Sequence, residues 1–202
     1  MKPEDQIKTI INAISDSQRI RNGRPRQLIS VDYQPETMTF LLHEGLVAAY
    51  RSSDQLLIKY IKAPMIIGMN TFVNTNADIF LKAYNNIRYE IIPSQYVLEI
   101  IDKNNLWKEV SYVYMYVIKQ LLHAHKASAG LSTYELIRLN LLAFMEEDED
   151  LRLNINVSDY IQEKTRISRS RIMTILGDLR TGGFIEIKRG ILTHIHKLPD
   201  DY

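Results

Sequence analysis

The segment ISRSRIMTILGDLRTGG, residues 167–183, sets three arginines along a stretch with a continuous apolar stripe. Ile172, Ile175, Leu176 and Leu179 fall at i, i+3, i+4 and i+7, the spacing of one buried helix face. Ser168 supplies an N-cap and Gly182-Gly183 a stop. Opposite the stripe lie Ser170, Thr174 and Gly177, with Arg169 and Arg171 on the flanks at the N-terminal rim. Cations at that end oppose the helix dipole, so they do nothing for the helix itself. Small hydroxyls and a glycine let a helix lie close against another surface. Arginines at its start suit a surface of phosphates and guanine edges. The chemistry this predicts is recognition of double-stranded DNA.

The flanking residues supply the elements that would position such a helix. Val157 to Thr165 reads as a short helix capped by Ser158, and Arg166-Ile167 as the tight turn of a helix-turn-helix. Phe184-Ile-Glu-Ile, Lys188-Arg-Gly and Ile191-Leu-Thr-His-Ile read as a hairpin with a basic tip, a wing. From Lys164 to Arg189 there are seven basic residues and two acidic ones, Asp178 and Glu186. The candidate DNA-contacting residues are Ser158, Arg166, Ser168, Arg169, Ser170, Arg171, Thr174, Lys188 and Arg189. The same fold serves protein contacts elsewhere, so a winged-helix module for protein interaction or small-ligand binding is the alternative.

The whole chain conceals this patch. Its 202 residues carry 25 basic and 24 acidic side chains, a net charge of +1. Without cysteine there is no disulfide, thiol chemistry, finger-type zinc site or thiolate-held cluster. Met1-Lys2-Pro3-Glu4-Asp5 is acidic where a signal peptide is basic, and no run approaches the ~20 apolar residues of a membrane span. A soluble, cytoplasmic protein with no membrane partner is expected. The acidic run Glu146 to Asp150 lacks the glycine of a calcium loop and reads as a solvated helix end or loop. His123 and His125 fall on different helix faces, and His194 and His196 alone are too few for a metal. No metal, cofactor, catalytic constellation or enzyme activity is expected.

Ahead of the basic segment the chain changes period twice. Ile7, Ile10, Ile11 and Ile14 mark a short amphipathic helix, and Arg19 to Arg26 reads as a basic, turn-like stretch. Short β runs follow from Leu28 to about Pro93, among them 39–42, 46–50, 56–61, 79–81 and 89–92, as in a sandwich or barrel. Ser94 reads as the cap of a helix through Ile101. A longer helix spans about 106–126, and Ala127 to Ser132 is the candidate hinge. Val110, Tyr114, Val117 and Leu121 alternate steps of four and three, a coiled-coil spacing that predicts a homodimer seam. The expected class is α+β, with residues 1–127 holding the β-rich half and long helix, and 131–202 the winged helix-turn-helix.

In that order, over nearly the full length, these elements resemble the Crp/Fnr superfamily of bacterial transcription regulators. Glu44-Gly45-Leu46-Val47 and Ala63-Pro64-Met-Ile-Ile-Gly68 resemble turns of its nucleotide-binding-type β-roll, a jelly roll. Asn105-Leu-Trp-Lys-Glu109, Thr165-Arg-Ile-Ser-Arg-Ser170 and Lys197 to Tyr202 resemble its IprA (YaiV) subgroup, whose name associates it with peroxide resistance. The resemblance implies DNA, a second copy of the chain and RNA polymerase as partners. The departures from it are informative. Met69 stands where cyclic-nucleotide binders place glutamate, and Ala77-Asp78 where they place an arginine pair, which implies no cyclic AMP and a degenerate roll. Ser170 and Thr174 replace the family's glutamate and second arginine, and Arg166 replaces its turn glycine.

Overall fold

The computed structural model describes residues 2–30, 32–33, 36–69, 78–126 and 130–200. The chain forms two compact units, Met1–Leu121 and Leu122–Tyr202. The first opens with α1 (Glu4–Ile14), whose four isoleucines at positions 7, 10, 11 and 14 are all buried. Nine strands follow among the described residues: β1 (Arg21–Gly23), β2 (Leu28–Ser30), β3 (Asp32–Tyr33), β4 (Glu36–Glu44), β5 (Leu46–Arg51), β6 (Leu57–Lys62), β7 (Met65–Ile67), β8 (Ile79–Ala83) and β9 (Ile87–Pro93). They pair antiparallel in two sheets, one ordered β1-β9-β4-β3 with β7 also on β4, the other β2-β8-β5-β6.

Between β4 of one sheet and β5 of the other the chain turns at Gly45. Its φ of +88° is a left-handed turn, and a Cβ there would run into the Asn86 carbonyl. Phe40, Leu42, Val47, Leu81 and Ile87 are at most 2% exposed and form the core with α1. Phe40 stacks on Tyr89 with ring centroids 5.2 Å apart. The basic stretch expected as a turn contains β1, which pairs Arg21 with Tyr89. A three-residue strand whose one buried residue is a glycine leaves no alternation to read.

One polar cluster is set into this apolar core. Glu90, on β9, is fully buried. Its Oε2 accepts from the Asp16 N–H (3.2 Å) and Arg19 Nε (3.1 Å), and its Oε1 accepts from the Ser15 hydroxyl and lies 2.9 Å from His43 Nε2. Burial alone would raise its pKa, but these bonds outweigh it and hold the carboxyl below the usual range. The cluster ties the end of α1 to the centre of a sheet.

Two helices follow, α2 (Ser94–Lys103) and α3 (Trp107–Lys126), of which α3 runs past Leu121, the last residue of the first unit. Ser94 does not cap α2. Pro93 holds that position, and the Ser94 hydroxyl lies 3.0 Å from the buried Thr39 hydroxyl.

The expected seam on α3 also needs correction. Val110 is 1% exposed, and Tyr114 and Val117 pack on the same roll core; burial raises the Tyr114 hydroxyl pKa. Only Leu121 of the four is exposed. The uncovered stripe lies one position further on: Ser111, Met115, Ile118 and Leu122, again in steps of four, three and four. Two apolar faces one residue apart share the same periodicity, so spacing alone does not say which of them the roll covers.

The second unit contains α4 (Thr133–Met145), α5 (Glu149–Asn154), α6 (Val157–Lys164), α7 (Arg169–Thr181), β10 (Ile185–Lys188) and β11 (Ile191–Ile195). Ser132 and Glu135 form a capping box on α4. Ile137, Leu141, Phe144, Tyr160, Ile161, Ile172 and Ile175 are fully buried between the helices. The acidic run has local tasks: Asp148 caps α5, and Glu147 accepts the Tyr160 hydroxyl at 3.0 Å. Of the hinge stretch, 127–129 lie outside the described residues.

Candidate nucleic-acid interface

The predicted stripe of α7 is buried as a whole, with Ile172, Ile175, Leu176 and Leu179 each at most 4% exposed. Burying that stripe fixes which face of α7 looks outward. Ser168 is the N-cap, its side chain accepting from the Arg171 N–H. On the outer face the Thr174 hydroxyl donates to the Ser170 carbonyl at 3.0 Å, and the Thr181 hydroxyl to the Gly177 carbonyl at 2.9 Å. These hydroxyl protons are spent within the helix, so the centre of the face is shallow. Nothing lies within 4 Å of where a Gly177 Cβ would stand.

The turn before α7 is fixed by Thr165. Its buried hydroxyl donates to the Ile161 carbonyl at 2.8 Å and accepts the Ile167 N–H at 3.3 Å. Arg166, exposed in that turn, is not among the described non-glycine residues with positive φ, so arginine in place of glycine carries no left-handed strain.

The wing turns through Arg189 (φ +52°) and Gly190 (φ +85°), a two-residue turn that matches the twist of the paired strands. The Gly190 carbonyl accepts the Val157 N–H at 2.9 Å, and a Cβ on Gly190 would strike the Asn156 side chain. The wing tip is thereby tied to the start of α6. Lys188 and Arg189 are exposed at that tip, Arg171 is exposed on α7, and none of the three has an acidic partner among the described residues.

Two expectations change here. Ser158 is not the cap of α6. Asn156 is, accepting both the Ser158 N–H (2.9 Å) and the Ser158 hydroxyl (2.7 Å). At 2% exposure Ser158 has no hydroxyl to offer DNA. Lys164, counted in the basic patch, instead lies 3.8 Å from Glu147 and 4.5 Å from the centre of the Tyr160 ring.

The structure also adds two residues that spacing did not reveal. Met173 is 52% exposed beside the shallow face of α7. Asp159, in the first turn of α6, lies 2.5 Å from a terminal nitrogen of Arg169, with both side chains about half exposed. The contact joins two helices, so no periodicity within either one signals it.

In the roll, Met69 is buried and Asp78 exposed. Ala77, with the rest of 70–77, lies outside the described residues.

Residues 133–200 match the family model described as winged helix-turn-helix DNA binding. The fold is that of Crp/Fnr regulators. The chain superposes on the c-di-GMP responsive global regulator CLP of Xanthomonas campestris with a TM-score of 0.75, at 13% identity over 96% of this chain and 100% of that one. A cyclic nucleotide-binding domain containing protein of Listeria monocytogenes gives 0.68, at 13% identity over 95% and 96%. The matched model and the geometry of residues 133–200 define a winged helix-turn-helix of the DNA-binding class. The chain belongs to the family named inhibitor of hydrogen peroxide resistance. It is 35% identical to the Salmonella typhimurium member over 179 residues, covering 88% of this chain and 86% of that one.

Proposed function

We propose that the protein binds operator DNA as a homodimer, laying α7 in the major groove of each half-site. Arg169 reads a base edge, most simply the paired acceptors of guanine. Ser168, Ser170 and Thr174 line the close approach, and Met173 adds an apolar contact for a thymine methyl. Arg166 in the turn, Arg171 on the helix, and Lys188 and Arg189 at the wing tip neutralise phosphates. The observation that carries this reading is the uncovered face of α7, shallow along its centre and rimmed by arginines. A helix built only to be solvated has no need of such a face.

The second copy docks through the uncovered α3 stripe of Met115, Ile118 and Leu122, all more than half exposed. Cyclic AMP is not the effector, because Met69, Ala77 and Asp78 offer a cyclic phosphate no cation. The protein acts on transcription through RNA polymerase rather than by catalysis, and the relatives' name points to genes of peroxide resistance. Division of labour follows the chain, with residues 1–127 assembling the dimer and 131–202 reading DNA. No helix among the described residues is long and apolar enough to cross a membrane, in keeping with work on the chromosome in the cytoplasm.

Titration with generic duplex DNA across a salt series tests the proposal. Affinity that falls steeply with salt supports it, and absence of binding at low salt refutes it. Calorimetry with cyclic AMP should give no saturable heat. Micromolar binding would overturn the assignment of the roll.

A further inference from the structure

We infer that Asp159 is a specificity-determining residue: it holds the Arg169 guanidinium for base reading and withholds it from the phosphate backbone. The inference rests on the DNA-reading role proposed for α7 and goes beyond it. A carboxylate is out of place on this surface. Every phosphate contact depends on local positive charge, and an acid beside the leading arginine weakens attraction to any duplex. Nor does the pair serve the fold, since an ion pair with both partners half exposed contributes little to stability.

Its geometry suits a recognition task. Asp159 Oδ1 engages one terminal nitrogen of Arg169 at 2.5 Å, leaving the other guanidinium donors available. An unheld arginine at a helix start swings among rotamers and finds phosphate on any sequence. A held one has its ordering cost met before DNA arrives and points one way. The rest of the face adds weight to this restraint. The Thr174 hydroxyl donates into its own helix and Gly177 has no side chain, so discrimination rests largely on the single long donor that Asp159 grips.

The test uses full-length protein, a duplex selected by the wild type from a random-sequence pool, and an unselected random duplex. Both are titrated over a salt series with wild type, Asp159→Asn, Arg169→Ala and the double variant. Asp159→Asn should bind random DNA several-fold more tightly, with a salt slope steeper by about one, while the ratio of selected to random affinity falls about tenfold. In the Arg169→Ala background the Asn change should leave that ratio where Arg169→Ala put it.

A ratio within about twofold of wild type for Asp159→Asn overturns the inference alone, as does an equal gain in random affinity with and without Arg169, which would make Asp159 a bystander charge. If wild type does not distinguish the duplexes, or Arg169→Ala keeps the ratio, the DNA-reading role of α7 fails and this inference with it. Asp159→Ser, another short polar residue at the helix start, repeats the measurement should the Asn variant melt early.

Discussion

The roll and the winged unit each contain an arginine–carboxylate pair, Arg19–Glu90 in one and Arg169–Asp159 in the other. In the roll the carboxylate is fully buried, and a hydroxyl, a backbone N–H and a histidine join the arginine around it. In the winged unit both partners are about half exposed. The same chemistry therefore has opposite consequences. Removing Glu90 takes a fully buried acceptor from Ser15, His43 and Arg19, which water reaches only in part, whereas removing either member of the exposed pair leaves the other solvated. Burial assigns the first pair to stability and leaves the second free to meet a ligand.

The largest effect expected from this contrast is at Glu90. Glu90→Ala should cost about 2–4 kcal/mol in denaturant unfolding, because the Ser15 hydroxyl, His43 and Arg19 lose a buried acceptor while Arg19, partly exposed, keeps the Ile14 carbonyl. Acid should act the same way. The folded pKa of Glu90 is held below its unfolded value, so its stabilisation is present above the usual carboxylate range and is lost as pH falls through the lowered folded pKa. Unfolding midpoints measured from neutral pH downward should show that loss in wild type and lack it in Glu90→Gln.

The two faces of α3 extend the contrast. Charge at Ile118 and Leu122, both more than half exposed, should leave the fold intact and yield a monomer by sedimentation. Val110→Asp, at 1% exposure, should instead unfold the roll. A folded Ile118→Asp/Leu122→Asp variant of unchanged mass would remove this stripe from the interface.

Smaller again is Gly190→Ala. It forces a side chain into left-handed backbone and against Asn156, at a cost of about 1–3 kcal/mol to the second unit. Because the wing tip and the α6 cap move together, generic DNA affinity should fall as well, which gel-shift titration would show. A variant with wild-type melting and binding would sever that link.

Much of the molecule was legible because its periodicities are simple. The stripe from Ile172 to Leu179 and the isoleucines of α1 each answer to one buried helix face that local spacing exposes, and the five β runs show as short apolar stretches between turn residues. What stayed hidden depends on partners distant in sequence. Val110 and Met115 belong to stripes of equal periodicity, and only the packed roll separates them. Ser158 and Asn156 are both good caps, and the choice follows from where the Gly190 carbonyl meets Val157. Asp159 and Glu90 look like ordinary acids until the fold brings Arg169 to one and His43 to the other. On the recognition surface the types and order of residues were readable, while the restraint on its leading arginine was not.

The central claim is that the exposed cations divide into one that reads sequence and others that hold the backbone. Binding of Arg169→Ala, Arg166→Ala and Lys188→Ala to a selected duplex and to random DNA, across a salt series, tests it most directly. Arg169→Ala should melt as wild type does and lose about 1–3 kcal/mol on the selected duplex, with much less on random DNA. Arg166→Ala and Lys188→Ala should weaken both duplexes alike and each lower the salt slope by about one. Equal losses on both duplexes for Arg169→Ala, or no loss for any of the three, would contradict the account.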